Sequence, residues 1–190
     1  HVGAHPSYPD VEHFGRQSLS LSPTALKASL HTQIDLVSKA CEAHQIHLHH
    51  IKPHGALYND MRRYPEIADL VMEVVHEREM KLILFSAPYV KFSKPSKFID
   101  IWIEGFADRA YQPNLSLVSR NEAGAVLHDS KVISERVLRM ITKAEVLSLS
   151  GDSIQCAFDT ICVHSDTPNA YHILKDLRNR IMENGFKIGT

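Results

Sequence analysis

Cysteine is scarce in these 190 residues: Cys41, Cys156 and Cys162 form neither a CxxC pair nor an even-numbered framework. That excludes a disulfide scaffold and matches the reduced thiols of a cytoplasmic protein. Cys162, inside an apolar stretch, is expected to be buried and inert. The eight glycines are dispersed and none falls in a GxxxxGK[ST] pattern, so there is no linear phosphate loop. No apolar run approaches the ~20 residues that cross a bilayer, and no signal-like start is visible, so no membrane association is expected. Charge of one sign is never massed: Lys plus Arg number 21, Asp plus Glu 22, scattered singly. A nucleic-acid binder needs a basic face or arm, and this chain has none to offer.

What the chain does have is alternation. His1 onward reads as a strand running into its loop. Ser22 and Pro23 mark an N-cap and first turn, followed by Leu26, Leu30, Ile34, Val37 and Cys41 three or four apart, which predicts an amphipathic helix. A strand follows over Ile46 to Ile51, and a helix opening at Pro65 carries Ile67, Leu70, Val71, Val74 and Val75. Lys81 to Phe85 reads as a short strand, and Pro88 to Lys97 as a weak or short helix interrupted by its prolines. Ile99 to Ile103 is a strand, Val132 to Ile141 a helix, Glu145 to Leu149 with Ser153 to Ala157 a pair, and Thr160 to Val163 the last strand. A closing helix starts at Pro168 and ends near Gly185. Strands alternating with helices predict an α/β architecture with a mostly parallel sheet, closed into a barrel or doubly wound, in one domain over residues 1–190.

Polar clusters fall at the carboxyl ends of the expected strands: His5 to Asp10, Lys52 to Asn59, Glu104 to Arg109 and His164 to Asp166. In parallel α/β folds those ends lie on one side of the sheet, where active sites form, so these residues are expected to share one pocket. Pro53 ends a ladder and Gly55 permits a sharp turn. The tract HQIHLHHIKPH resembles a metal site, yet strand alternation separates His47 and His49 from His50, and His50 is expected to pack. Asp108 and Arg109 have a blander reading as a local hydrogen-bonded turn, and Glu104 one as an ion-pair partner.

The segments GAHPSYPD with FGR, KPHGALYN, EGFADRAYQP and DTICVHSDTP stand in an order that closely resembles the LamB/YcsF family, which includes the A subunit of bacterial ATP-dependent 5-oxoprolinase. The resemblance implies an irregular (β/α) barrel of the glycoside hydrolase/deacetylase type. It also implies hydrolysis of the 5-oxoproline (pyroglutamate) lactam to L-glutamate in a complex with subunits B and C. ATP would be shared with those partners. A divalent metal and a homo-oligomeric state are compatible with it. The expected catalytic residues are His5, Lys52, His54, Asp108 and His164. Asp10, Arg16, Asn59, Glu104, Arg109 and Asp166 are expected to bind substrate.

A lactam is a resonance-stabilised amide, so its hydrolysis needs an activated carbonyl and a protonated leaving nitrogen. Phosphorylation of the carbonyl oxygen would supply the first. Asp108 or His54 is expected to deprotonate water, Lys52 and Arg109 to clamp a carboxylate or phosphate, and His5 and His164 to donate protons or hold a metal.

Family members begin with two further segments, one rich in Asp, Asn and Glu and one like CGFHAGD, about two βα units of ~30 residues each. A chain without them is expected to lack the first strands of the barrel. Two other readings accompany the first: a metal-dependent deacetylase-like hydrolase, and a non-catalytic family remnant suggested by the absence of those segments and by Ser165, where glycine is usual.

Overall fold

A computed structural model describes residues 1–78, 82–93 and 99–189. The chain divides into two compact units, His1–Trp102 and a second beginning at Ile103.

In the first unit the capping chemistry acts as the sequence predicts. Helix α1 (Pro23–Ala43) opens with Ser22, whose hydroxyl accepts from the Ala25 N–H at 3.2 Å, and it buries Leu26, Leu30, Ile34 and Cys41. Strands β1 (Val2–Ala4), β2 (Leu48–Ile51) and β3 (Leu82–Ser86) are parallel and adjacent in that order. Ala4, Ile51 and Leu84 stand side by side across them, each almost without exposure, in one apolar core with α1. Gly3 and His50 are also cross-strand partners. A Cβ on Gly3 would lie 2.1 Å from His50 Nε2, so glycine is what lets that ring lie over β1. His50 stacks on Phe85 at 4.5 Å and Phe85 on Trp102 at 5.8 Å, which fulfils the expectation that His50 packs.

Helix α2 (Gly55–Arg63) is not anticipated by the sequence reading, because Lys-Pro-His-Gly looks like punctuation; its buried Leu57, Tyr58 and Met61 nonetheless give it an inner face. Helix α3 (Pro65–His76) follows, with Pro65 in its first turn. Of the stretches expected to be structured, Lys81 and residues 94–97 lie outside the described residues, and positions 88–93 are not helical. Strand β4 (Ile99–Phe106) begins in this unit and runs on into the next, longer than the sequence suggests.

In the second unit β4 pairs in parallel with β7 (Thr160–Cys162), Glu104 opposite Thr160 and Phe106 opposite Cys162. Helix α4 (Ser130–Lys143) is capped by Asp129, whose Oδ1 accepts from the N–H groups of Lys131 and Val132. It packs against α5 (Ala170–Glu183), which starts two residues beyond Pro168. Strands β5 (Glu145–Leu147) and β6 (Ser153–Gln155) form the antiparallel pair expected around Gly151. Cys162 is half-buried, not buried as expected, because all three residues of the short strand β7 are only partly covered. Among the described residues no helix is long and apolar enough to cross a membrane.

Candidate functional site

Parallel pairing of β1 with β2 brings the residues after Ala4 beside those after Ile51. His5 Nδ1 lies 2.5 Å from the Lys52 carbonyl oxygen, and His5 Nε2 lies 3.0 Å from His54 Nδ1. His54 Nε2 in turn lies 2.9 Å from the carbonyl oxygen of Phe14. The backbone completes the cluster: the Lys52 N–H donates to Ala4, the His54 N–H to Pro6 and the Ala56 N–H to the Gly15 oxygen. Gly55 has φ +61°, and a Cβ there would stand 2.3 Å from that oxygen, so both the turn and the close approach require glycine.

The remaining expected residues of this unit hold the scaffold in visible ways. Asp10 folds back on its own loop, where Oδ1 accepts from the His13 N–H at 3.2 Å and lies 2.9 Å from His13 Nδ1. The contact with His13 outweighs partial desolvation and holds the Asp10 carboxyl below its usual range. The Arg16 guanidinium lies over the Phe14 ring. Asn59 is exposed and donates to the Gly55 carbonyl one helical turn back.

In the second unit, the parallel strands β4 and β7 do the same for Asp108 and His164. The Asp108 carboxylate has no solvent exposure. Its Oδ1 is 2.8 Å from His164 Nδ1, while its Oδ2 accepts from the His164 N–H at 3.0 Å and the Thr167 hydroxyl at 2.5 Å. Burial alone would raise the Asp108 pKa, but the hydrogen bonds from His164 and Thr167 outweigh it and keep the carboxyl below its ordinary value. An ionised carboxylate can only accept, so His164 carries a proton on Nδ1, and the neutral imidazole presents the Nε2 lone pair. The imidazole is 22% exposed and stacks on Phe106 at 5.1 Å. Thr167, which the sequence reading passes over, is signalled only by its place in the DTP end of the last matched segment.

Arg109 is buried, donating Nε–H to the Ala125 oxygen at 3.3 Å and Nη2–H to the Val118 oxygen at 2.6 Å, so it pins the 118–125 loop. Glu104 is 2% exposed within β4. Asp166 faces Arg120, Oδ1 to Nη2 3.6 Å. Arg120, also missed from the sequence, lines a polar cavity of about 270 Å³ together with Glu122, His128, Asp166 and Thr167. Thr167 thus touches both the cavity and the Asp108 carboxylate. Ser165 is exposed and its backbone is outside the left-handed region, so the position tolerates a side chain.

Among the described residues no group of three or more His, Cys, Asp or Glu side chains is arranged to hold a metal. Both ring nitrogens of His5 and Nδ1 of His164 lie within hydrogen-bond distance of protein atoms.

The family model described as the LamB/YcsF family matches residues 1–190, the whole chain. The chain belongs to the LamB/YcsF family. Among curated LamB/YcsF relatives, the A subunit of 5-oxoprolinase from Pyrococcus furiosus is 37% identical over 189 residues, covering 98% of this chain and 74% of the relative. Its counterpart from Clostridium beijerinckii is 36% identical with the same coverage. The crystal structure of a lactam utilization protein from Thermus thermophilus superposes with a TM-score of 0.88 at 32% identity, over 98% of this chain and 75% of the other. The α/β fold with parallel strands expected from the resemblance is therefore the fold of this LamB/YcsF member.

Proposed function

We propose that this chain is the A subunit of an ATP-dependent 5-oxoprolinase, opening the lactam of 5-oxoproline to L-glutamate together with subunits B and C. The observation that carries the reading is the buried Asp108 carboxylate holding His164 with Nε2 as the proton-accepting nitrogen. Relatives named as the A subunit of 5-oxoprolinase support the substrate.

On this geometry the roles shift from those the sequence suggests. Asp108 is enclosed by three donors and orients the imidazole; it is not the group that meets water. His164 Nε2 takes the proton from attacking water and returns one to the departing ring nitrogen, since an imidazole passes protons both ways near neutral pH. Arg120, on the adjoining cavity, takes the substrate carboxylate; Arg109 is committed to the loop carbonyls.

ATP would supply the phosphoryl group that activates the amide oxygen, leaving ADP; loss of the ring nitrogen after water adds would give a glutamyl phosphate, whose hydrolysis releases inorganic phosphate and glutamate. The described residues do not offer an obvious cradle for ATP: the Gly55 turn is spent on close packing against the Gly15 backbone, and the Ala56 amide at the start of α2 already donates to Gly15. The nucleotide is accordingly assigned to a partner protein of the complex. The test is glutamate release from 5-oxoproline by the reconstituted complex. The reading requires release to depend on this chain and on ATP, and Arg120→Ala to raise KM more than it lowers kcat. Release that proceeds without the chain would overturn it.

A further inference from the structure

The His5–His54 contact settles a proton count that the sequence does not reveal. A carbonyl oxygen only accepts, so His5 Nδ1, 2.5 Å from the Lys52 oxygen, must be N–H. By the same rule His54 Nε2, 2.9 Å from the Phe14 oxygen, must be N–H. A neutral imidazole carries one ring proton, and in each ring that proton is now assigned. His5 Nε2 and His54 Nδ1 would then face each other across 3.0 Å as two lone pairs. Two doubly protonated rings would face each other as two N–H groups. Only one extra proton between them, giving N–H···N, satisfies all three contacts at once.

We propose that His5 and His54 share a single proton and behave as one cationic unit instead of two independent histidines. The proton passes between His5 Nε2 and His54 Nδ1 while the outer nitrogens stay bonded to the carbonyls of Lys52 and Phe14. Neither ring then keeps a lone pair for abstracting a proton from water, so the pair supplies fixed positive charge. Charged groups of both signs surround it among the described residues of the first unit. Lys52, at the end of β2, and Arg16, over the Phe14 ring, oppose an added proton. Asp10 on the neighbouring loop favours it, although its Oδ1 is engaged by His13. On α2, Asp60 is bonded to the Tyr8 hydroxyl, and the α1 side chain that reaches this loop is the uncharged Gln33. The N–H···N bond favours the shared proton, and titrations of two such sites belong to the pair. The proposal stands on this tautomer geometry and not on the reaction assigned above.

Proton-detected NMR of the full chain with ¹⁵N-labelled histidine tests it directly. The expected result is one strongly downfield proton correlated with both His5 Nε2 and His54 Nδ1 at neutral pH, and proton uptake by the pair in two separated steps. In His5→Gln and in His54→Gln the shared resonance disappears and the surviving imidazole titrates in one step. Should either variant fail to fold by circular dichroism, the wild-type chain unfolded in urea serves instead, and there the two steps must merge into one. Two neutral rings at neutral pH, titrating together with no proton correlated to both, would overturn the proposal whatever the activity of the complex.

Discussion

His164 and Asp108 touch twice: the carboxylate receives the ring Nδ1 at 2.8 Å and the backbone N–H at 3.0 Å, one on each oxygen. The double contact fixes the tautomer of the imidazole and its orientation together. Replacing Asp108 with Asn keeps the shape but presents an amide N–H where an acceptor is needed, which favours the wrong tautomer. Asp108→Asn should therefore lower kcat for glutamate release by about 10²- to 10⁴-fold, the size of a general acid–base contribution, with a smaller change in KM. Steady-state kinetics of the reconstituted complex checks it.

The same carboxylate sets an acid limit on stability. Its folded pKa is below its unfolded one, so the unfolded state binds more protons as the pH falls. The stabilisation is complete above the unfolded pKa of about 3.9 and is lost as pH drops through the lower folded value. Urea unfolding of wild type below about pH 4 should show that loss, and Asp108→Asn should show a shallower slope.

His50 acts at higher pH. Burial first, then the neighbouring His49 and Lys52 charges, lowers its pKa from 6.5 to about 4. Between those values the unfolded chain takes up a proton that the folded chain refuses, so stability is full above the unfolded pKa and falls as pH descends toward 4. His50→Phe, which keeps a ring against Phe85, should flatten the stability curve across that window. Denaturant unfolding at a series of pH values measures the slope.

Arg109 illustrates what was and was not legible in the sequence. Its place after β4 is correctly read, as are the Ser22 and Pro23 helix start, the Gly151 hairpin and the strand-end positions of His5, His54, Asp108 and His164. Those depend on short-range capping, turn chemistry and strand direction. Where the Arg109 guanidinium points depends on how the 118–125 loop folds over it, and no local pattern encodes that. Helix α2 was hidden for a related reason: its start is a glycine in the left-handed region, chosen for the Gly15 contact, not for helix propensity. Arg120 and Thr167 acquire meaning only from the cavity they share.

Because both Arg109 contacts are buried charge-assisted hydrogen bonds to carbonyls, Arg109→Ala should destabilise the protein by about 3 kcal/mol or more. A substrate clamp would instead show a raised KM at unchanged stability. Equilibrium unfolding alongside kinetics separates the two.

Glycine substitutions should divide by space. Gly55→Ala combines φ +61° with a Cβ 2.3 Å from the Gly15 oxygen, while Gly151→Ala has φ +92° and no atom within 4 Å. The second should cost about 1–2 kcal/mol from backbone strain alone. The first should cost more and disturb His54, read by the melting temperature and by the His54 imidazole resonances.

His164 is the group on which the proposed lactam opening turns, because in that proposal it both takes and returns the proton. Glutamate formation from 5-oxoproline and ATP by the complete complex, with His164→Asn in place of the wild-type chain, addresses that most directly. The predicted result is a kcat lowered by at least about 10²-fold in a folded, assembled complex. Glutamate formation at the wild-type rate in that complex would contradict it.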